Sequence, residues 1–149
     1  MIDLRERVAI ITGAGQGLGE ALARRLAAEG CKVVVADLNG DNAKAVAASL
    51  PDAIAVTVDV TDEAQVAAMV DAAVQTYGRL DIMVPNAGIL IAEPIEAADV
   101  RKWRRVIDVN LVGNMLCCKY AAREFIKQRS GVIVAINSKS GKRGSFRNS

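Results

Sequence analysis

The sequence predicts an α/β fold built on a doubly wound parallel sheet. Short runs rich in Val, Ile and Ala alternate with longer segments of helical periodicity, a pattern typical of βαβ units. Of the 149 residues, 52% are hydrophobic and 3% aromatic, as expected where helices cover both faces of a buried sheet. The length is that of one domain, which we expect to span residues 1–149.

Each predicted strand is an apolar run of four to six residues bounded by polar residues or glycine. The five strands are predicted near 7–12, 32–37, 54–58, 81–85 and 132–137.

Three helical patterns connect these strands. The first follows the opening strand, ends at Gly30, and places on one stripe Leu18, Leu22 and Leu26. The second begins at Thr61-Asp62-Glu63, ends at Gly78, and repeats valine at 66, 70 and 74. The longest covers about 99–129, and its apolar stripe is formed by Trp103, Ile107, Leu111, Cys118 and Phe125. Asn110 and Asn114 lie beside that stripe, where an amide needs a hydrogen-bond partner.

Composition excludes several classes of function. A net charge of +2 gives no nucleic-acid-binding pattern, and we expect Arg101-Lys102-Trp103-Arg104-Arg105 to form a solvated helix face. No apolar run approaches the roughly 18 to 20 residues of a membrane span, and Met1-Ile2-Asp3-Leu4-Arg5 lacks the apolar segment of a signal peptide, so a soluble, cytoplasmic protein is expected.

Cysteine and histidine usage limits the chemistry further. Cys31, Cys117 and Cys118 are odd in number and lack metal-ligand spacing, so we predict buried, reduced thiols and no metal site. The chain has no His, so proton transfer would require Ser, Tyr, Lys or carboxylates.

The first strand runs directly into Thr12-Gly13-Ala14-Gly15-Gln16-Gly17-Leu18-Gly19. Glycines allow backbone N–H groups to approach an anion, and a helix beginning near Gly17 directs its positive end to the same place, which predicts a phosphate site. Glu20 follows the last glycine where a P-loop has Lys, and Gly-x-Gly-x-x-Gly would require glycine at Leu18. The observed Thr-Gly-x-x-x-Gly-x-Gly spacing resembles the cofactor turn of the short-chain dehydrogenase/reductase family, whose fold is a Rossmann domain.

Polar residues follow three further strands. Asp37 ends the second strand and Leu38 follows it. Asp37 lies about as far downstream of the glycine turn as the acid that a dinucleotide fold places against the adenosine ribose. The Asp37 carboxylate would repel a 2′-phosphate, so NAD is predicted rather than NADP. Asp59-Val60 and Asn86-Ala87-Gly88 end the third and fourth strands, and parallel topology brings these ends together.

The resemblance implies roles for these residues. It places Asp59 and Val60 beside the adenine, and Asn86-Ala87-Gly88 between the central sheet and the cofactor. The family usually has a further Asn in front of this last segment, where this chain has Pro85, which removes a backbone donor.

The resemblance also implies catalytic residues. Asn110 matches the asparagine that supports a water-linked proton relay, and Ser138 matches the serine that binds the substrate oxygen, with Ser140 as the alternative. In the family a tyrosine with a lysine four residues later is the general acid/base. The 149 residues contain no such pair, since neither Tyr77 nor Tyr120 has Lys at that position, and we expect both to be packing residues.

The resemblance implies an NAD-dependent oxidoreductase that transfers a hydride between NAD and a secondary alcohol or ketone. It also implies homo-oligomers, dimers or tetramers, that associate through the long helix. Residues 136–145 resemble sorbitol-6-phosphate 2-dehydrogenases and related polyol dehydrogenases, and Lys139, Lys142 and Arg143 would there bind a sugar phosphate or remain solvated.

The resemblance extends along nearly all of this chain but covers little more than half of the usual family domain. Without the Tyr–Lys pair, we expect a chain truncated at the C-terminal side and catalytically incompetent. A non-catalytic dinucleotide-binding or assembly fragment is the alternative. A methyltransferase that uses S-adenosylmethionine is disfavoured, because Ile10-Ile11-Thr12 lacks the acid expected before its glycines.

Overall fold

The computed structural model describes residues 3–138 and places five parallel strands in one sheet, in the order β3-β2-β1-β4-β5. The strands are β1 Val8–Thr12, β2 Lys32–Asp37, β3 Ala53–Thr57, β4 Ile82–Val84 and β5 Val132–Ile133. The predicted doubly wound α/β fold is therefore confirmed.

Helices connect successive strands. They are α1 Gly17–Ala28, α2 Gly40–Ala48, α3 Glu63–Tyr77, α4 Val100–Ile107 and α5 Asn114–Gln128, with a π-helical turn at Asp108–Gly113 and a 3-10 turn at Ile95–Ala97. Helix α3 has the predicted ends, since the Asp62 carboxylate accepts the N–H groups of Ala64 and Gln65 and Gly78 adopts φ +79°. Helix α2 was not predicted, although Asn39 caps it in the same way.

Strand β1 lies at the centre of the sheet. It pairs with β2 on one side and with β4 on the other, so the chain changes direction across the sheet after β3. Every residue of β1 is buried, and its side chains alternate between the two faces: Ile10 packs into one core cluster and Ile11 into the other. Such a reversal of strand order leaves a crevice at the carboxyl ends of the strands.

Helix α1 packs through small residues. Gly19, Ala23 and Ala27 are its buried positions, while Leu18 is 57% exposed and Leu22 is half-buried. The predicted leucine stripe is therefore confirmed only in part, since Leu22 and Leu26 pack against the core as partly buried side chains whereas Leu18 is exposed. Small side chains let the helix backbone approach the sheet closely, and the larger leucines lie beside that contact.

The long helical segment buries its predicted stripe only in part, with Trp103, Cys118 and Phe125 half-buried. Its buried residues are Gly113, Cys117 and Ala121, whereas Ile107 and Leu111 are more than half exposed. The π-helical turn interrupts the α-helical phase, so residues before and after it face different directions. Burial raises the pKa of Cys117 to about 12, which fits a packing residue rather than a reactive thiol.

A buried carboxylate lies at the amino end of the sheet. Asp81 is 5% exposed and accepts hydrogen bonds from the backbone N–H of Val8 (3.0 Å), from Arg79 Nε (2.7 Å) and from Arg7 Nη1 (2.9 Å). Burial opposes ionisation of Asp81, but the hydrogen bonds from Arg79, Val8 and Arg7 outweigh it and hold the pKa below its usual value. This cluster joins β1 to β4 far from the crevice.

Strand β5 forms an edge of the described sheet, and its apolar side chains are exposed. Val132 is 49% and Val134 48% exposed. Backbone N–H groups of Val132, Val134 and Ile136 donate to carbonyls of β4 and its flanking residues, so parallel pairing continues through much of the predicted 132–137 segment. Within residues 3–138, no helix has the length and apolar character needed to cross a membrane.

Candidate functional site

A cleft of about 720 Å³ opens at the carboxyl ends of the central strands. Almost all the predicted cofactor-binding residues line it: Gly13, Gln16, Gly17, Leu18, Gly19, Asp37, Leu38, Asp59, Val60, Asn86, Ala87 and Gly88. Thr12, Asn110 and Ser138 are not among its lining residues. The fold thus brings together residues that are up to 75 positions apart in sequence.

The glycine turn between β1 and α1 has the form of an anion cradle. Gly13 and Gly17 adopt φ of +64° and +59°, a region that side chains other than glycine rarely enter. No atom lies within 4 Å of the position where a Cβ of Gly17 would stand. Gln16 gives α1 no side-chain cap, so the first-turn N–H groups remain free for an external acceptor. These features fit a diphosphate.

Thr12 joins this turn to the residues that follow β4. It is 1% exposed, and its Oγ1 accepts the backbone N–H groups of Asn86 and Ala87, both at 3.1 Å. Asn86 Nδ2 donates in return to the carbonyls of Thr12 (2.9 Å) and Gly13 (3.2 Å). The ends of β1 and β4 are therefore fastened together. Pro85 has no N–H, yet its carbonyl accepts from Ile136.

The Asp37 carboxylate connects β2 to the glycine turn. Its Oδ2 accepts the N–H of Gly15 at 2.8 Å, and its Oδ1 accepts the N–H of Asn39 at 2.8 Å. Each carboxylate oxygen retains acceptor capacity beyond these bonds. Asp37 lines the cleft, so that remaining capacity is available to a bound hydroxyl group.

Asp59 and Val60 form the cleft wall beyond β3. Asp59 Oδ1 accepts the N–H (2.9 Å) and the hydroxyl (2.7 Å) of Thr61, which fixes the turn into α3. Val60 is buried against Gly113 of the π-helical turn, where an added Cβ would lie 2.8 Å from Val60 Cγ2. The wall position of Val60 therefore requires glycine at 113.

Asn110 lies in the π-helical turn and binds the segment after β4. Its Oδ1 accepts the N–H of Ile89 and its Nδ2 donates to the carbonyl of Ile89, both at 2.8 Å. The amide therefore positions one wall of the cleft, since Ile89 lines it. Turns of π-helix occur frequently at functional sites. The predicted proton-relay role of Asn110 stays a prediction.

Ser138, the other predicted catalytic residue, does not line the cleft. Ser138 is exposed after β5, and its N–H donates to Asn137 Oδ1. Ser140, Lys139, Lys142 and Arg143 lie outside the described residues.

Neither tyrosine of the chain lines the cleft. Burial, together with the charge of Asp52, raises the pKa of Tyr77 to about 12, opposite to the change that a catalytic base requires. Tyr120 donates its hydroxyl to Glu63.

The sequence did not predict that three arginines of α4 line the cleft. Arg101, Arg104 and Arg105 are exposed, as the sequence predicted, but they line the cleft together with Asp108 and Val109. Their spacing of three to four residues puts them on one helix face. That spacing was the available signal, but it does not reveal which neighbour the face meets.

Comparison with known proteins fits this architecture. Residues 7–149 match the family model described as short chain dehydrogenase. The chain belongs to the short-chain dehydrogenase family. Relatives in the family include dehydrogenases, so the relationship is to oxidoreductases.

Several relatives within the family have assigned activities. The chain is 46% identical over 138 residues to a cis-4-hydroxycyclohexanecarboxylate dehydrogenase of Sinomonas cyclohexanicum, covering 89% of this chain and 55% of that protein. It is 40% identical over 142 residues to a meso-2,3-butanediol dehydrogenase of Serratia marcescens, covering 94% and 56%. It is 41% identical over 143 residues to a galactitol 2-dehydrogenase of Agrobacterium fabrum, covering 95% and 56%. The chain thus spans little more than half the length of these relatives.

Proposed function

We propose that the cleft binds NAD. The observation that carries this proposal is the glycine turn, with its uncapped helix end, lying in one cleft with the Asp37 carboxylate. The turn would hold the diphosphate through backbone N–H groups, and Asp37 would accept hydroxyl groups of the adenosine ribose. When bound, the nicotinamide would supply the hydride acceptor, while the protein orients it.

The preference for NAD over NADP follows from charge. A 2′-phosphate on the ribose would lie against the Asp37 carboxylate, and like charges at that distance repel. The Asp37 oxygens are also held in place by the N–H groups of Gly15 and Asn39, so the carboxylate has little freedom to move aside.

For the protein that carries these residues, we propose oxidation of a secondary alcohol to a ketone, on a polyol or a sugar phosphate such as sorbitol 6-phosphate. The assigned activities of the butanediol and galactitol dehydrogenases support alcohol substrates of this kind. Ser138 is the proposed residue for the substrate oxygen, and Asn110 for the proton relay.

The 149 residues alone are proposed to bind cofactor without turnover, because they contain no Tyr-x-x-x-Lys pair. A dinucleotide-binding or assembly role without catalysis is the second candidate. It is favoured by the exposed apolar residues of the long helical segment.

Calorimetry with NAD and NADP tests the cofactor proposal. NAD should bind, and NADP should bind at least about tenfold more weakly because of the Asp37 charge. Asp37→Asn should weaken NAD binding about tenfold and reduce the discrimination against NADP, because it removes a charged acceptor. Asp71→Asn makes the same charge change at an exposed position of α3 that lines neither this cleft nor the pocket beside Asp37, and it should leave both affinities unchanged.

Two results would contradict the proposal. One is equal binding of NAD and NADP by the unaltered chain, and the other is equal sensitivity to the Asp37 and Asp71 substitutions. Formation of NADH from sorbitol 6-phosphate, galactitol or meso-2,3-butanediol should be undetectable with the 149 residues alone. Robust turnover would refute the proposed need for a Tyr–Lys pair.

We further propose self-association through an apolar ridge formed by Ile107, Leu111 and Met115. These residues lie along the segment that contains the π-helical turn and are 51%, 56% and 61% exposed. Contiguous exposed apolar surface of this kind favours a protein interface. Sedimentation equilibrium should show dimers or larger species, and Leu111→Lys should shift the population toward monomer. A monomer at every concentration tested would contradict this proposal.

A further inference from the structure

Helix α4 gives the cleft a wall of basic side chains. Arg101, Arg104 and Arg105 all line the cleft, and so does Asp108 one turn later. With 3.6 residues per turn these four positions fall on one face of the helical segment. The fold therefore turns this face toward the residues that follow β1, β2 and β3.

The three guanidinium groups differ in their partners. Arg101 donates to the carboxylate of Asp99, with Nη2 at 2.7 Å from Oδ2. Over residues 3–138, no carboxylate oxygen lies within 4.0 Å of the guanidinium nitrogens of Arg104 or Arg105. Two positive charges with five N–H donors each thus line the cleft without a protein counter-charge in contact.

Three carboxylates share the cleft, those of Asp37, Asp59 and Asp108, and none of their oxygens lies within 4.0 Å of a guanidinium nitrogen of Arg104 or Arg105. Asp108, one helical turn from both arginines, offsets part of their charge without contacting them. Both oxygens of Asp37 accept backbone N–H groups, and Asp59 is bonded to Thr61. The glycine turn adds free N–H groups and the positive end of α1. A ligand with two or more negative charges would therefore be attracted from both the turn and the α4 face.

We propose that Arg104 and Arg105 bind the nucleoside diphosphate part of the cofactor by charge, from the α4 wall of the cleft. This inference rests on the proposed nucleotide-binding function and adds two specificity residues to it. Guanidinium groups suit this role because they are weakly hydrated and match phosphate oxygens geometrically. The arginines would favour ligands that carry the diphosphate over the uncharged nucleoside.

Titrations with ADP and adenosine, followed by NMR or calorimetry, test this inference. The double variant Arg104→Gln, Arg105→Gln should bind ADP about tenfold more weakly than the unaltered chain at low salt, because two attractive charges are removed. The difference should shrink at about 0.5 M NaCl, where screening is strong over a few ångströms. Adenosine binding should not change. Arg123→Gln is the matched control, since it removes the same charge at an exposed position of α5 outside the cleft, and it should have little effect.

The outcomes separate this inference from the proposed function. If the unaltered chain binds neither ADP nor NAD, the proposed function fails and this inference fails with it. If it binds both but the double variant binds ADP equally well, only this inference is overturned. An equal loss of ADP and adenosine binding would assign the arginines to folding of the cleft. A loss of self-association with unchanged ADP binding would assign them to contact with a second copy.

Discussion

Gly19→Ala is expected to destabilise the protein by about 2 kcal/mol or more and to weaken NAD binding at least tenfold. A Cβ at this position would overlap the carbonyl oxygen of Gly13 and would lie 2.6 Å from Asn86 Nδ2. Both atoms belong to the hydrogen-bonded connection between β1 and β4, so neither can move without breaking it. The methyl group would force α1 away from the glycine turn.

Thermal denaturation and calorimetry with NAD measure these two effects. Ala21→Val provides the control, because it adds more atoms to an exposed position of the same helix. That control should cost only the lower helix propensity of valine, about 0.5 kcal/mol, and leave NAD binding intact. If Gly19→Ala behaves like the control, the close contact between the first turn of α1 and Gly13 is not required.

Asp81→Asn is expected to destabilise the fold by about 2 to 3 kcal/mol at neutral pH. The substitution removes the charge that accepts hydrogen bonds from Arg7, Arg79 and the backbone of Val8. The two arginine side chains are 44% exposed, so water can partly solvate them, and the loss is smaller than for a fully buried pair. Urea denaturation of both proteins measures the difference.

The same carboxylate predicts how stability changes with pH. The folded-state pKa of Asp81 lies below its unfolded value, so its contribution is complete above the unfolded pKa, near 4, and is lost as pH falls through the folded pKa. The stability difference between the unaltered protein and Asp81→Asn should therefore be constant near neutrality and decrease below about pH 4. Asp3→Asn is a matched control, since Asp3 also pairs with an arginine two residues away but is exposed. An Asp81 effect no larger than the Asp3 effect would contradict the proposed structural role.

Much of the fold could be predicted because buried parallel strands leave strong signals. Val33 to Val35 and Val8 to Ile11 are continuous apolar runs, and each lies within a predicted strand. Helix α2 was missed because its nine residues bury only Ala43, Val46 and Ala47, which is too little apolar periodicity to stand out. The fully buried positions of α1, Gly19, Ala23 and Ala27, were not predicted, because the contact with the sheet selects Ala and Gly over Leu.

The gathering of Gly13, Asp37, Asp59 and Asn86 in one cleft could be anticipated, since each follows a predicted parallel strand at its carboxyl end. The position of the α4 arginines in the cleft could not be anticipated. Their position depends on the angle at which α4 leaves the loop after β4, and on the bond between Asn110 and Ile89 that fixes this loop. Neither feature has a local sequence signal.

The π-helical turn at Asp108–Gly113 links two surfaces with different orientations. Upstream, Arg101, Arg104 and Arg105 line the cleft, and downstream, Cys117 and Ala121 enter the core. Deleting a single amino acid from this turn would rotate everything on one side by about 100° relative to the other. The length of the π-helical turn therefore sets the angle between the helix face that lines the cleft and the helix face that packs into the core.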